Sequence, residues 1–362
     1  METCPRSKTV RGQPNTERLI VMCENNGPFN SLPSKHGSAT HSQTQPLNPI
    51  NLRPVDELDV TIVVDNAIDI LLPSDERTKR PPLTWDWSEK QQLIAEHGYS
   101  VLLTFHRNGE DRSVLYDAGL SQETATHNLN VLGIDLKNVE AMVLSHGHAD
   151  HHGGLEGMLR RVGRKKLPFV LHPDAWRDRK IVFPSGTEIH MPPPSRKLLE
   201  DEEVQVLEER GPTLLLDRGV LVSGQVERVT SFERGFPFQQ ASQNGLWEPD
   251  PWIWDDQGII CNVKGRGLVV VSSCSHSGVV NVLRNAKRIT GVEKIHAFIG
   301  GLHLTGGTFE KIIPETIEDL RKVRPDVIVP GHCTGWKAAN QISGVLPEAY
   351  VQTSVGTHMV FH

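Results

Sequence analysis

Ser145-His146-Gly147-His148-Ala149-Asp150-His151-His152-Gly153-Gly154 is the stretch on which the reading of this chain turns. Four potential metal ligands, His146, His148, Asp150 and His151, fall within six residues. Imidazole suits zinc, iron and related ions and the carboxylate adds a harder oxygen donor, so one tight turn offers donors for two adjacent ions. Gly147 and Ala149 keep the backbone compact, and Gly153-Gly154 let the chain turn closely into the next element. The competing reading is a histidine-rich surface loop that collects metal adventitiously. The setting argues against it. Residues 139–144 read as a buried strand that delivers the cluster, and residues 153–161 read as a helix that leads away, the support a rigid site needs.

Working outward, residues 60–64, 100–105 and 113–116 read as strands. The last two are separated by Arg107-Asn108-Gly109-Glu110, a hairpin signal. After the cluster, residues 168–171 form a further strand ending at His172, and residues 236–256, with Trp247, Trp252 and Trp254 among prolines and glycines, read as a long loop of the kind used as a lid. The last third alternates: strands over 268–272, 296–299 and 327–329, helices over 279–289 and 314–323. This pattern predicts a layered α/β architecture with helices outside and sheet inside. Residues 1–55 are polar, with Phe29 as their one aromatic and a single short apolar run at 19–23, so they read as an extension ahead of a catalytic domain over 56–362.

Bulk properties narrow the function classes. Of 362 residues, 37% are hydrophobic and 23% charged, as in globular proteins, and the formal net charge of −6 lacks the basic excess of a nucleic-acid binder. No apolar run reaches membrane-spanning length, and no secretory leader is evident at the N-terminus. Five widely spaced cysteines without a CxxC pair fit a reducing compartment, and a cytoplasmic location is expected.

The HxHxDH run resembles the signature of the metallo-β-lactamase superfamily. That resemblance implies an α/β layered fold, the four-layer αβ/βα sandwich, with a mono- or dinuclear metal site. Similarity extends from about Leu58 to the C-terminus and includes Tyr116-Asp117-Ala118-Gly119, where Asp117 would orient a ligand imidazole. A closer subgroup is suggested by Val64-Asp65-Asn66, His97-Gly98-Tyr99-Ser100, Ser273-Cys274-Ser275-His276-Ser277-Gly278, Gly300-Gly301-Leu302-His303-Leu304 and Pro330-Gly331-His332-Cys333-Thr334-Gly335. These resemble the family of the archaeal synthase that condenses a dihydropterin with ribofuranosylaminobenzene phosphate, most members of which are called metal-dependent hydrolases.

His276 and His332 each follow a strand among small residues, so both can project from the same sheet end as the first cluster. His332 resembles the superfamily's last ligand. His276 falls where many relatives carry a bridging aspartate. The usual histidine between the first cluster and that aspartate has no match, since Ser223-Gly224-Gln225 offers glutamine, so the ligand set is expected to be reduced or rearranged. His303 stands open between a substrate-facing acid and a metal ligand. His172 reads as a structural strand-end residue, and Cys274 and Cys333 as either packed thiols or ligands. Trp247, Trp252, Trp254 and Trp336 are either a substrate wall or core. Glu227-Arg228 and Glu233-Arg234 read as paired surface charges, and either arginine facing the pocket would favour a phosphate or carboxylate substrate.

The expected enzyme is a hydrolase in which a metal-activated water attacks an ester, lactone, thioester or phosphoester. His146, His148, Asp150, His151, His276 and His332 would hold one or two divalent ions, zinc first with iron or manganese as alternatives. Asp150 would also orient the water, and His303 would protonate the leaving group. The alternatives are a dihydropterin-type transferase releasing pyrophosphate and a non-catalytic metal-binding interaction module. A small-molecule substrate is expected, with neither nucleic acid nor membrane as partner; the oligomeric state is not legible.

Overall fold

A computed structural model describes residues 48–81 and 92–362. The polar extension therefore lies outside the described residues as far as residue 47. Its last residues are packed: Leu52 and Val55 are buried, and Val55 forms a parallel bridge to Val263.

Two large sheets face each other. The first has eight strands in the spatial order β2 (Thr78–Lys79), β18 (His358–Phe361), β1 (Glu57–Val64), β3 (Ser100–Arg107), β4 (Glu110–Tyr116), β5 (Val139–Val143), β6 (Pro168–Leu171) and β9 (Gln205–Glu208). The second runs β10 (Thr213–Leu215), β11 (Val220–Val222), β14 (Ile259–Val263), β15 (Gly267–Ser272), β16 (Ile295–Gly301) and β17 (Val327–Gly331). Period-two alternation assigns each strand's faces. In β3, Val101, Leu103 and Phe105 enter the core between the sheets while Leu102 faces the helices; in β15, Val269 and Val271 point inward while Leu268 and Val270 face the other way. Strands buried on both faces read as continuous apolar runs.

Helices close the outer faces. Against the first sheet lie α1 (Gln122–Leu132), the single turn α2 (Ala149–His152) and α3 (Leu155–Val162), with α4 (Arg196–Asp201) at its edge. Against the second lie α5 (Val279–Thr290), α6 (Ile313–Val323) and α7 (Trp336–Val345). In α5, Val279, Val282, Leu283, Ala286 and Ile289 are buried, the spacing of a helix with one apolar stripe. The result is the expected four-layer sandwich. Among the described residues, no helix is long and apolar enough to cross a membrane.

Three local expectations need correction. Residues 236–256 contain a hairpin, β12 (Gln239–Gln243) and β13 (Leu246–Pro249), that joins β7 (Arg179–Val182) and β8 (Glu188–Met191) in a third, four-stranded sheet. Its turn is Asn244-Gly245, with φ of 52° and 80°, the same device as Asn108-Gly109 between β3 and β4. The helix expected over 153–161 starts two residues later, at Leu155, because Gly153 and Gly154 form a tight link from the turn α2, passing against the chain beside them: a Cβ would meet the Leu120 carbonyl at 1.9 Å and the Ala118 carbonyl at 2.2 Å. Glu233 is buried rather than a surface partner of Arg234, and Glu227 pairs with Arg288 at 3.7 Å.

Candidate metal centre

The chemistry-bearing residues stand just past the ends of β1, β4, β5, β15, β16 and β17, which leave Asp65, Asp117, His146, Cys274, His303 and His332 at one rim of the sandwich. Two groups of donors converge there. His146, His148 and His276 offer ligand atoms that all lie within 4.8 Å of one another. Beside them, Asp150 Oδ2 is 3.3 Å from both His151 Nε2 and His332 Nε2. Cys274 stands between the groups, its Sγ 3.4 Å from His151 Nε2 and within 4.8 Å of the nearest ring nitrogens of His276 and His303.

Three of the imidazoles are aimed from behind. His151 Nδ1 donates to Asp117 Oδ2 at 2.7 Å, His146 Nδ1 donates to Ser145 Oγ at 2.9 Å, and His332 Nδ1 donates to Asn66 Oδ1 at 3.1 Å. Placing the ring proton on Nδ1 leaves the Nε2 lone pair facing the centre. Asp117 is the hub: it also accepts from the Ser145 backbone and hydroxyl, each at 2.7 Å, and from the Ser273 hydroxyl. Asp65 accepts from the His332 backbone at 2.8 Å. Arg179, fully buried, donates to both oxygens of Asp255, and Asp255 accepts from Gly147 N at 2.8 Å, pinning the ligand turn.

Four of the thirteen non-glycine residues with positive φ among the described residues stand at this rim. Asp117, Ser275, His303 and His332 are non-glycine residues with φ between 47° and 58°. Left-handed conformations at such residues persist only where the surroundings over-determine them.

Electrostatics keeps three of the imidazoles in the ligating form. Burial, reinforced by neighbouring rings, holds the His146 and His276 imidazoles well below their ordinary range, and burial brings His148 down to about 3. Neutral imidazoles are the ligating form. Asp150 moves the other way: burial opposes ionisation, but His151 and His332 hold its carboxyl well below the usual range. His151 is pushed up to about 10, against burial, by Asp150 and Asp117, so this ring would have to release a proton to ligate. These residues fit a cation. His146 and His276 present Nε2 atoms to each other at 3.1 Å, and the buried His332 Nε2 has no hydrogen-bond partner.

All seven residues expected at the site, His146, His148, Asp150, His151, His276, His303 and His332, lie in this one cluster. His276 sits beside His146 and His148, and Cys274 stands between the two donor groups; no histidine occupies the Ser223-Gly224-Gln225 segment, and the Gln225 backbone N–H donates to the Arg210 carbonyl. His303 packs its ring 4.2 Å from His276 and 4.4 Å from Phe309, and its Nδ1 is buried without a partner. His172 accepts from Asp174 N and caps the following turn, a structural role. His152 turns away toward the Pro192 carbonyl.

Sequence reading missed several neighbours. His97, quoted in a motif above but given no role, is exposed, stacks on His332 with centroids 5.0 Å apart and approaches Asp150 at 3.6 Å. Gln239 reaches His148 Nε2 at 3.3 Å. The aromatic wall beside His303 is made by Phe309, Phe236 and Phe238 rather than by tryptophans; Trp252 and Trp254 pack on each other, and Trp254 lies under Arg228. Arg228 is spent on the Val226 and Trp252 carbonyls, and the exposed Arg234 on that of Ser231. A cavity of about 620 Å³ lined by Arg77, His296, Asp326 and His362 opens at the opposite ends of the strands and holds none of the clustered donors.

The family model of the metallo-beta-lactamase superfamily matches residues 94–289, more than half of the chain. The chain belongs to the metallo-β-lactamase superfamily. The matched segment carries the HxHxDH turn, Cys274 and His276, and ends before His303 and His332. Within the superfamily, 280 residues are 29% identical to the 7,8-dihydropterin-6-methyl-4-(beta-D-ribofuranosyl)-aminobenzene-5'-phosphate synthase of Methanocaldococcus jannaschii, covering 74% of this chain and 90% of that protein. An uncharacterized protein of the same archaeon is 28% identical over 256 residues, covering 70% of this chain and 90% of its own. Among solved structures, a metal-dependent hydrolase of the beta-lactamase superfamily superposes with a TM-score of 0.62 at 22% identity, covering 84% of this chain and 98% of that one. Members of this superfamily bind divalent metals and are mostly enzymes, and the clustered histidine, cysteine and aspartate side chains here are placed for an ion.

Proposed function

We propose that this chain is a metal-dependent hydrolase of a small-molecule ester, lactone, thioester or phosphoester. The observation that carries the reading is the pair of convergent donor groups, His146/His148/His276 and Asp150/His151/His332, with the Cys274 thiol between them. These seven side chains would hold one or two divalent ions, with zinc favoured by the imidazole and thiolate donors. A bound ion supplies Lewis acidity, making water nucleophilic near a pKa of ~7 and offsetting oxyanion charge. The chain's own residues do the rest. Asp150 orients the attacking water through its second oxygen, Asp117 and Asn66 fix the ring protons of His151 and His332, and the partnerless Nδ1 of His303 delivers a proton to the leaving group. The free thiols of Cys274 and Cys333, side by side at 3.4 Å, support a reducing, cytoplasmic setting.

The test uses the full chain, stripped with chelator and reloaded separately with zinc, manganese or iron(II), against a panel of lactones, thioesters, phosphodiesters and β-lactams. Metal-dependent turnover is expected, with β-lactams weak or inert. His148→Ala should lose both metal and turnover; full metal stoichiometry and unchanged turnover in that variant would sink the assignment.

A second reading, group transfer with loss of pyrophosphate, is favoured by the similarity to the archaeal synthase along 90% of that protein. Arg179 and Arg228, both engaged within the protein, give it no phosphate clamp. Incubation with a pterin pyrophosphate and an arylamine riboside phosphate separates the readings: a carbon–carbon product supports transfer, and hydrolysis alone supports the first.

A further inference from the structure

A second constellation of metal-binding side chains lies on the outer face of the eight-stranded sheet, toward the other end of its strands. Along β1, Glu57, Asp59 and Thr61 share the face opposite the inward-pointing Leu58, Val60 and Ile62. Register sets His106 of β3 opposite Glu57 and His358 of β18 opposite Thr61, so two histidines from flanking strands bracket the acids of the strand between them. Asp59 is some six residues from Asp65 along this strand, roughly 20 Å from the main centre at strand rise.

Asp59 is the shared member of this group. Asp59 Oδ2 is 3.5 Å from His106 Nε2 and 3.7 Å from His358 Nε2, and Glu57 Oε1 is 3.9 Å from His106 Nε2. Four ligands at about 2.0–2.1 Å around a tetrahedral ion stand about 3.3–3.4 Å apart, and the two Asp59 contacts, at 3.5 and 3.7 Å, come near that spacing. Both rings are also held at their far nitrogen: His106 Nδ1 donates to Asp111 Oδ1 at 2.7 Å, and His358 Nδ1 shares a hydrogen bond with the Thr61 hydroxyl at 2.9 Å. A histidine donating one N–H to a carboxylate or hydroxyl while its other nitrogen faces a cation is the usual arrangement around bound metals. Finally, Asp59 Oδ1 and His106 Nε2 are solvent-shielded atoms without a hydrogen-bond partner.

We propose that Glu57, Asp59, His106 and His358 form a second binding site for a first-row divalent cation of the zinc type, separate from the centre at the strand ends. An ion there ties β3, β1 and β18 together across their ladders and clamps the last strand to the first. The imidazole and carboxylate donors disfavour magnesium and calcium, which take oxygen.

The experiment counts ions. Chelator-stripped full chain and its H106N/H358N variant are titrated with zinc under identical conditions, and bound metal is read by native mass spectrometry and by thermal melting. Wild type is expected to bind one equivalent more than the variant and to gain additional melting temperature from it, while the hydrolytic turnover of the two remains equal. Asp59→Asn, a single change at the shared ligand, should lose the same equivalent and serves should the double variant fold poorly. Equal zinc stoichiometry in wild type and Asp59→Asn overturns the proposal and leaves the cluster as an ion-pair network of protonated histidines.

Discussion

Asp117 Oδ2 and His151 Nδ1 lie 2.7 Å apart with both side chains fully shielded from solvent. That contact joins the end of β4 to the ligand turn and fixes which nitrogen of His151 faces the centre. Asp117→Asn keeps the shape but turns an amide toward Nδ1, so the ring loses its reason to hold its proton there. Metal affinity should fall by about 10–100-fold, measured by competition with a chromophoric chelator. Unchanged affinity would mean that the ring is oriented by packing alone.

Cys274 and Cys333 can be told apart by spectroscopy. Cys274 Sγ lies beside His151 Nε2, whereas Cys333 Sγ touches Cys274 and its carbonyl oxygen. Cobalt-substituted protein should show a thiolate-to-metal charge-transfer band that Cys274→Ser abolishes and Cys333→Ser retains. A band that survives Cys274→Ser would transfer the ligand role to its neighbour.

Glu233 accepts from Val280 N and Asn281 N at 2.9 and 3.0 Å, satisfying the first turn of α5, and burial nonetheless pushes its carboxyl up to about 7. A folded-state pKa raised above the unfolded value of about 4.3 means a stabilising contribution that is complete below that value and is lost as pH rises through about 7. Unfolding free energy from urea melts should therefore decline over this window. Glu233→Gln should flatten the decline whatever it does to absolute stability; an identical slope in both proteins would contradict the assignment.

Leu103, without exposed surface, fills the core between the two sheets. Leu103→Ala should cost about 2–5 kcal/mol in denaturant unfolding. Leu71, 72% exposed, is the control: its alanine variant should stay within about 0.5 kcal/mol of wild type. Similar losses at both positions would refute the assigned layering.

The layered fold was readable because its strands are short and apolar and its helices carry one apolar stripe, both local signals. The donor cluster was readable for a similar reason: four of its members are nearly contiguous, and His276 and His332 sit in small-residue turns after strands. What escaped was set by distance in the chain. Nothing near Cys274 in sequence says that it reaches His151, 123 residues away, and nothing near His276 says that it joins His146 and His148. Arg179 and Asp255, which pin Gly147, look like ordinary charges until the fold buries them against each other. The hairpin at Asn244-Gly245 did have a local signal, masked by the surrounding tryptophans.

His146 and His276 meet across 130 residues, one from each sheet. An ion held between them spans the seam of the sandwich. Its affinity then includes the work of docking one half of the chain onto the other, and whatever pries the halves apart also ejects the ion. Occupancy of the centre is in this sense a gauge of whether the two halves are closed.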